Sequence, residues 1–231
     1  GGIDLTFPTY VATDANQCFI VDTALIAKVN LNNGDRSQLI DAKNGGFGDI
    51  FLNPDSSSLY ISTGESILKM SPVNGASTVV SSAAVGTGAS LHNMADFGIS
   101  WARNMAYTTV YYDDTILSVD LSTGNRKVFS TVASGEPKLS DPRKLIVDDI
   151  TGQAFVYDSN RLVAIDLMTG RRKVIGATGP LTSLTSIVTL TMTPYGPVLL
   201  DYVLQGEGGT PRSPTLILVD PIEGTRLILS R

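Results

Sequence analysis

The stretch DLSTGNRKVFS spans residues 120–130, and a near copy, DLMTGRRKVIG, spans 166–176. A third version, DPIEGTRLILS, spans 220–230. Extending the comparison upstream finds five copies of one fifteen-residue unit: IAKVNLNNGDRSQLI (26–40), ILKMSPVNGASTVVS (67–81), ILSVDLSTGNRKVFS (116–130), LVAIDLMTGRRKVIG (162–176) and LILVDPIEGTRLILS (216–230). They share Gly34, Gly75, Gly124, Gly170 and Gly224. The period is roughly 45 residues, the length of a four-stranded propeller blade.

Each unit reads as a β-hairpin. Apolar residues alternate up to a short polar loop and alternate again after it. The loop STG (122–124) fits a three-residue connection whose last residue is left-handed, a conformation glycine takes without steric cost. Asp120 with Arg126, Asp166 with Arg172 and Asp220 with Arg226 flank the loops symmetrically. They are expected to face each other across the hairpin as solvated pairs worth roughly 0–1 kcal/mol.

A second motif precedes each hairpin. PTYVATDANQCFIVD (8–22) matches PRKLIVDDITGQAFVYD (142–158), and 48–62, 95–113 and 186–201 follow the same plan. Each is two strands joined by a turn of Asn, Asp, Gly or Pro. Two inner strands and one outer hairpin make a blade. No long window has the three-and-four apolar spacing of a helix. Sheets of this kind bury their faces only against one another, around a ring. The expected fold is all-β: a five-bladed β-propeller of four-stranded antiparallel blades. It forms one domain over 1–231, with blades at about 1–41, 42–82, 83–131, 132–177 and 178–231. Trp101 and Tyr107 are expected to pack between blades.

The repeat grammar resembles that of bacterial NHL-like and SMP-30/gluconolactonase-like propeller proteins, in which hairpins of the form V-D-x-x-T-G-x-R recur blade after blade. The resemblance implies a propeller. It also implies a group that mixes lactonases, which use a metal in the central channel, with binding proteins that do no chemistry. Those lactonases have six blades and five are counted here, so no metal ligands are carried over.

Composition narrows the function. Charged residues make up 17% and the net charge is −5. An acidic balance opposes nucleic-acid binding, which needs a basic surface. No apolar run approaches the roughly 20 residues of a membrane span. The one cysteine, Cys18, permits no internal disulfide and reads as a small core residue of a strand. The chain begins Gly-Gly without Met, as a processed or excised polypeptide would. No nucleophile elbow occurs, and a single histidine cannot build a His-based zinc site.

In a propeller, the loops entering the innermost strands and the loops joining second to third strands open on one face, around the channel mouth. Those loops carry Asp22, Glu65, Asp113, Asp114, Asp158, Asp201 and Tyr202, with His92, Asn93 and Asp96 from LHNMADFG and Arg143 and Lys144 from DPRK. A converging ring of carboxylates suits calcium, or an acid and a base across a sugar. Equally, repeated aspartates can each cap their own turn. The loop 202–215 is the longest departure from the repeat, and long loops in compact folds carry function or stay unstructured.

The expectation is a non-enzymatic ligand- or protein-binding module using the channel-mouth face, extracellular or periplasmic. Its ligand-binding candidates are Asp22, Glu65, His92, Asn93, Asp113, Asp114, Asp158, Asp201 and Tyr202. Its partner would be a small molecule, a carbohydrate or a protein, with calcium as the one candidate cofactor. The alternative is a divalent-metal-dependent hydrolase of lactonase type, with rim carboxylates as metal ligands. A third reading is a structural domain of a larger surface protein.

Overall fold

The computed structural model describes residues 2–23, 25–41, 46–111, 113–133, 135–175, 187–201, 215–223 and 225–230. The described residues form strands and turns with no helix, arranged as a five-bladed β-propeller. Blade one comprises β1 (Tyr10–Thr13), β2 (Gln17–Asp22), β3 (Leu25–Asn30) and β4 (Arg36–Asp41). Blade two comprises β5 (Ile50–Leu52), β6 (Leu59–Ser62), β7 (Ile67–Met70) and β8 (Ser77–Ser81). Blade three comprises β9 (Met94–Ser100), β10 (Met105–Val110), β11 (Ile116–Asp120) and β12 (Arg126–Ser130). Blade four comprises β13 (Pro142–Asp148), β14 (Gln153–Asp158), β15 (Arg161–Asp166) and β16 (Arg172–Ile175). Blade five comprises β17 (Ile187–Thr193), β18 (Gly196–Asp201), β19 (Thr215–Val219) and β20 (Arg226–Ser230). Within each sheet the strands run in chain order and pair antiparallel.

The repeated unit is the outer hairpin of each blade. In blade three the Asp120 amide bonds the Asn125 carbonyl at 3.0 Å, and the Gly124 amide bonds the Asp120 carbonyl at 2.8 Å. The same two bonds recur at Asn30/Gly34, Ser71/Gly75 and Asp166/Gly170. The loop is therefore four residues, 121–124, one longer than expected from the sequence. Gly124 has φ of 73° and closes it in the left-handed region.

The flanking Asp–Arg pairs do not form. Asp120 accepts hydrogen bonds from the Ser122 and Thr123 amides, and Asp166 and Asp220 cap their own loops in the same way. These caps hold the carboxyls of all three below the usual carboxylate range. Arg126 pairs in register with Val119 rather than Asp120, which turns its side chain onto the sheet face. There it is buried, and it reaches the preceding blade. It donates to the Ser81 hydroxyl at 2.8 Å and to the carbonyls of Ser82, Val85 and Ala89. Arg172 does the same one blade on. It donates to the hydroxyl and carbonyl of Ser130 at 2.9 Å each and to the carboxylate of Asp114. These arginines are staples between blades, not surface ions.

Apolar seams complete the packing. Phe19, Val21 and Ile26 of blade one meet Ile50, Leu59 and Ile61 of blade two. Tyr60 and Ile67 meet Phe97, Ile99 and Leu117 at the next seam. Tyr107 and Ile116 meet Leu145, Val156 and Ile165 at the third. Phe155 and Leu162 meet Leu199, Ile217 and Val219 at the fourth. Trp101 sits edge-on to Tyr60 of blade two, and Tyr107 clusters with Leu145 of blade four, so both aromatics are seam residues. Among the described residues no apolar cluster joins blade five to blade one.

Candidate functional site

The rim candidates separate by what already holds them. Asp22 ends β2 and is buried. Its carboxylate accepts the Thr6 amide at 2.5 Å, the Phe7 amide at 3.2 Å and the Thr23 hydroxyl at 2.9 Å. Burial opposes its ionisation, but these bonds together keep its pKa below the ordinary value. Asp158 ends β14 and is fully buried. It accepts the Ser140 and Asp141 amides at 2.7 and 2.6 Å and pairs with Arg161 at 2.9 Å. Both aspartates thus tie the entry segment of their own blade to the end of its second strand. Asp114 accepts the Leu139 amide at 2.7 Å and the Arg172 guanidinium.

Glu65, His92, Asn93 and Asp113 are placed differently. His92 Nδ1 lies 3.2 Å from Glu65 Oε1, and both side chains are exposed. The pair bridges the β6–β7 loop of blade two and the entry segment of blade three. Asn93 follows with φ of 58°, a backbone conformation unusual outside glycine. Its carbonyl accepts the Tyr111 amide at 2.9 Å, drawing the entry segment onto the end of β10. His92, Asn93, Tyr111 and Asp113 then line one open cleft of about 430 Å³, with Ser90 and Thr115 on its walls. Asp201 is the last residue of β18, opposite Ile187. Tyr202 and the 203–214 segment lie outside the described residues.

Inside the channel is a group of side chains the loop-based reading does not bring together. Lys144 of blade four projects its ammonium to 4.7 Å from the Tyr10 ring centroid in blade one. Asp49, just before β5, lies close enough to both to act on them electrostatically. Burial pushes the Asp49 carboxyl up to about 6, against the opposing pull of the Lys144 ammonium and the Phe97 amide. Burial also raises the Tyr10 phenol, with Asp49 acting in the same direction. Asp96 of β9 is buried; one oxygen accepts the Leu145 amide at 2.8 Å, and the other has no partner among the described residues. The sequence signal for this group is a charge set against an apolar innermost strand, as in RKLIV (143–147) and DIFL (49–52). Among the described residues, no three His, Cys, Asp or Glu side chains are grouped as a metal site would need.

A ring of four-stranded blades with a polar channel mouth defines this chain as a β-propeller protein. No family model matches the sequence, and no curated protein matches it. Solved structures do. One chain of a nidogen/laminin complex superimposes with a TM-score of 0.73 at 16% identity, covering 95% of this chain and 78% of its own. A protein of unknown function from Bacteroides thetaiotaomicron VPI-5482 superimposes with a TM-score of 0.66 at 11% identity. It covers 98% of this chain, which spans 58% of its length. At these identities the likeness is one of fold.

Proposed function

We propose that this protein is a non-enzymatic binding propeller that takes a protein partner on its channel-mouth face, outside the cytoplasm. The observation that carries the reading is the division of labour among the rim residues. Asp22, Asp114 and Asp158 spend their oxygens on backbone amides and arginines, whereas His92, Asn93, Tyr111 and Asp113 line one open cleft, with Glu65 beside it at 3.2 Å from His92. Open, mixed-polarity clefts with an aromatic at the edge suit side chains of another protein. Two acids, in a protein of net charge −5, favour a partner segment bearing Lys or Arg. The nidogen/laminin neighbour supports the reading, since that propeller chain was crystallised in a protein complex.

Selection of a displayed peptide library on the purified protein tests this. Selected peptides should carry basic residues and lose at least about tenfold in affinity when Glu65→Gln and Asp113→Asn are combined, the equivalent of about 1.4 kcal/mol. Peptides that bind the double variant unchanged place the partner elsewhere. The hydrolase alternative is read in parallel by calorimetry with calcium and by lactone hydrolysis. Calcium binding that disappears in Asp113→Ala and Asp158→Ala, together with turnover, would replace the binding reading.

A further inference from the structure

The turns at the far end of the sheets from the channel mouth carry a set of large apolar side chains in the open. Ile150 in the β13–β14 turn is 91% exposed, Met168 in the β15–β16 loop 84%, Tyr195 in the β17–β18 turn 79% and Ile222 in the β19–β20 loop 78%. All four lie on blades four and five. The turns themselves do not require them, because turn tips ordinarily carry residues that bond their own backbone or face water. The loop position of Met168 and Ile222 holds Asn32 in blade one and Ser122 in blade three. Val73 of blade two shares that position, but the inner turn of its blade, DSS (55–57), is polar.

Contacts join the four tips into one surface. Within blade four the Leu167 amide donates to the Gly152 carbonyl at 2.9 Å, which sets the Met168 loop beside the Ile150 turn. Within blade five a Cβ on Gly196 would lie 2.5 Å from the Val219 carbonyl oxygen and 3.0 Å from the Pro221 ring, so the Tyr195 turn abuts the Ile222 loop. Between the blades the Lys173 ammonium donates to the Ile222 carbonyl at 3.4 Å. An open cleft of about 550 Å³ lies there, lined by Gln153, Arg171, Lys173, Ile175, Pro221 and Ile222. Three of its polar groups are incompletely matched. Lys173 has no carboxylate partner among the described residues. The Arg171 guanidinium uses only its Nε there, on Glu136 at 3.1 Å, and its side chain is exposed. Gln153 Oε1 is buried and accepts no hydrogen bond among the described residues.

We infer that this turn face of blades four and five is a docking surface for a segment of another protein that sets a carboxylate between apolar side chains. The apolar side chains would cover the four tips. The carboxylate would take Lys173 and the free edge of the Arg171 guanidinium. A backbone amide of the segment would give Gln153 Oε1 its donor. A small anion answers only the cations and leaves the tips and Gln153 as they are. An anionic bilayer is opposed by Asp166 and Asp220, which stand two residues from Met168 and Ile222 and are held below the usual carboxylate range by the bonds of their own loops. A second copy docking through the same face would bring like cations together. The surface lies at the other end of the blades from the Glu65–His92 cleft, so the inference stands apart from the proposed use of that cleft.

The test pans a displayed random peptide library on the purified protein and sorts the selected peptides with two variants. Met168→Ser combined with Ile222→Ser strips two apolar tips, and Lys173→Glu reverses the charge in the cleft. All three residues are exposed, so both variants should keep the wild-type thermal midpoint to within about 2 °C. The inference expects a class of peptides with Asp or Glu between large apolar residues. These should bind each variant at least about tenfold more weakly and bind the Glu65→Gln/Asp113→Asn variant unchanged. Binding to Lys173→Glu should return when the acid of the peptide is replaced by Lys. Absence of that class, or its equal binding to the serine variant, overturns the inference and leaves the channel-mouth reading to stand or fall on its own basic peptides. Two further results overturn it. One is cosedimentation of the wild type with phosphatidylserine–phosphatidylcholine vesicles that the serine variant loses, which assigns the face to a bilayer. The other is self-association in analytical ultracentrifugation that the serine variant loses, which assigns it to a second copy.

Discussion

Substituting alanine at Gly124 and at Gly34 separates two costs that a glycine in this repeat can hide. Both glycines have left-handed backbones, with φ of 73° and 75°. Alanine at either position pays the left-handed penalty of roughly 1–2 kcal/mol, partly offset by roughly 0.4–1 kcal/mol from a less flexible unfolded chain. At Gly34 nothing further is added, because the new methyl meets open space. At Gly124 the methyl would lie 2.1 Å from the Val80 carbonyl oxygen, a backbone atom of the preceding blade that cannot rotate away. Forcing the seam apart adds roughly 1–3 kcal/mol. Gly124→Ala should therefore be less stable than Gly34→Ala by about 2 kcal/mol, or about 4–8 °C in thermal midpoint. Urea unfolding of the two variants, followed by circular dichroism, reads the difference. Equal destabilisation would refute the reasoning, since it would mean the hairpin tip is not wedged against its neighbour.

Arg172→Met removes a buried guanidinium and strands the carbonyl of Ser130 and the carboxylate of Asp114. It should cost about 2–4 kcal/mol, with part recovered in the double variant with Asp114→Asn, measured by the same unfolding series. Asp49 sets a pH dependence. Its folded pKa, raised from 3.8 to about 6, means the folded state takes up a proton first as pH falls. The associated stability is fully present below about pH 4 and is lost as pH rises through 6, by at most about 3 kcal/mol. Asp49→Asn should flatten the stability profile between pH 4 and 6.5, and a slope that persists would assign it to another group. Glu65→Gln touches only an exposed pair and should leave the thermal midpoint within about 1 °C, so any loss of partner binding in that variant is a surface effect.

The division between local and tertiary information runs through single residues. Asp120 shows it most simply. Its role as loop cap is local chemistry between a side chain and amides two and three residues on, and so is the positive φ of Gly124. The left-handed glycine was readable from the repeated loop, and with it the hairpin, the period and the blade count, whereas the cap was not, because Asp120 was expected to face Arg126. Arg126 shows the opposite. From the sequence it looks like the counter-ion of Asp120. Its register partner is Val119, and its hydrogen-bonding partners lie 37 to 45 residues upstream, at the end of the preceding blade and on the segment that enters its own. A one-position offset across a hairpin decides which face a side chain takes, and no periodicity in the sequence specifies what stands opposite that face. The rim follows the same rule. The sequence placed Asp22, Asp113, Asp114 and Asp158 on loops of one edge, but the entry segments that fold back onto three of them are tertiary neighbours. The pairing of Lys144 with Tyr10 across the channel is tertiary too. By itself the sequence determined a repeated sheet and the ends of its strands, because those depend on residues within one hairpin. Only the tertiary structure decided which charges become staples between blades and which line the open cleft, because burial is settled by what the neighbouring blade brings.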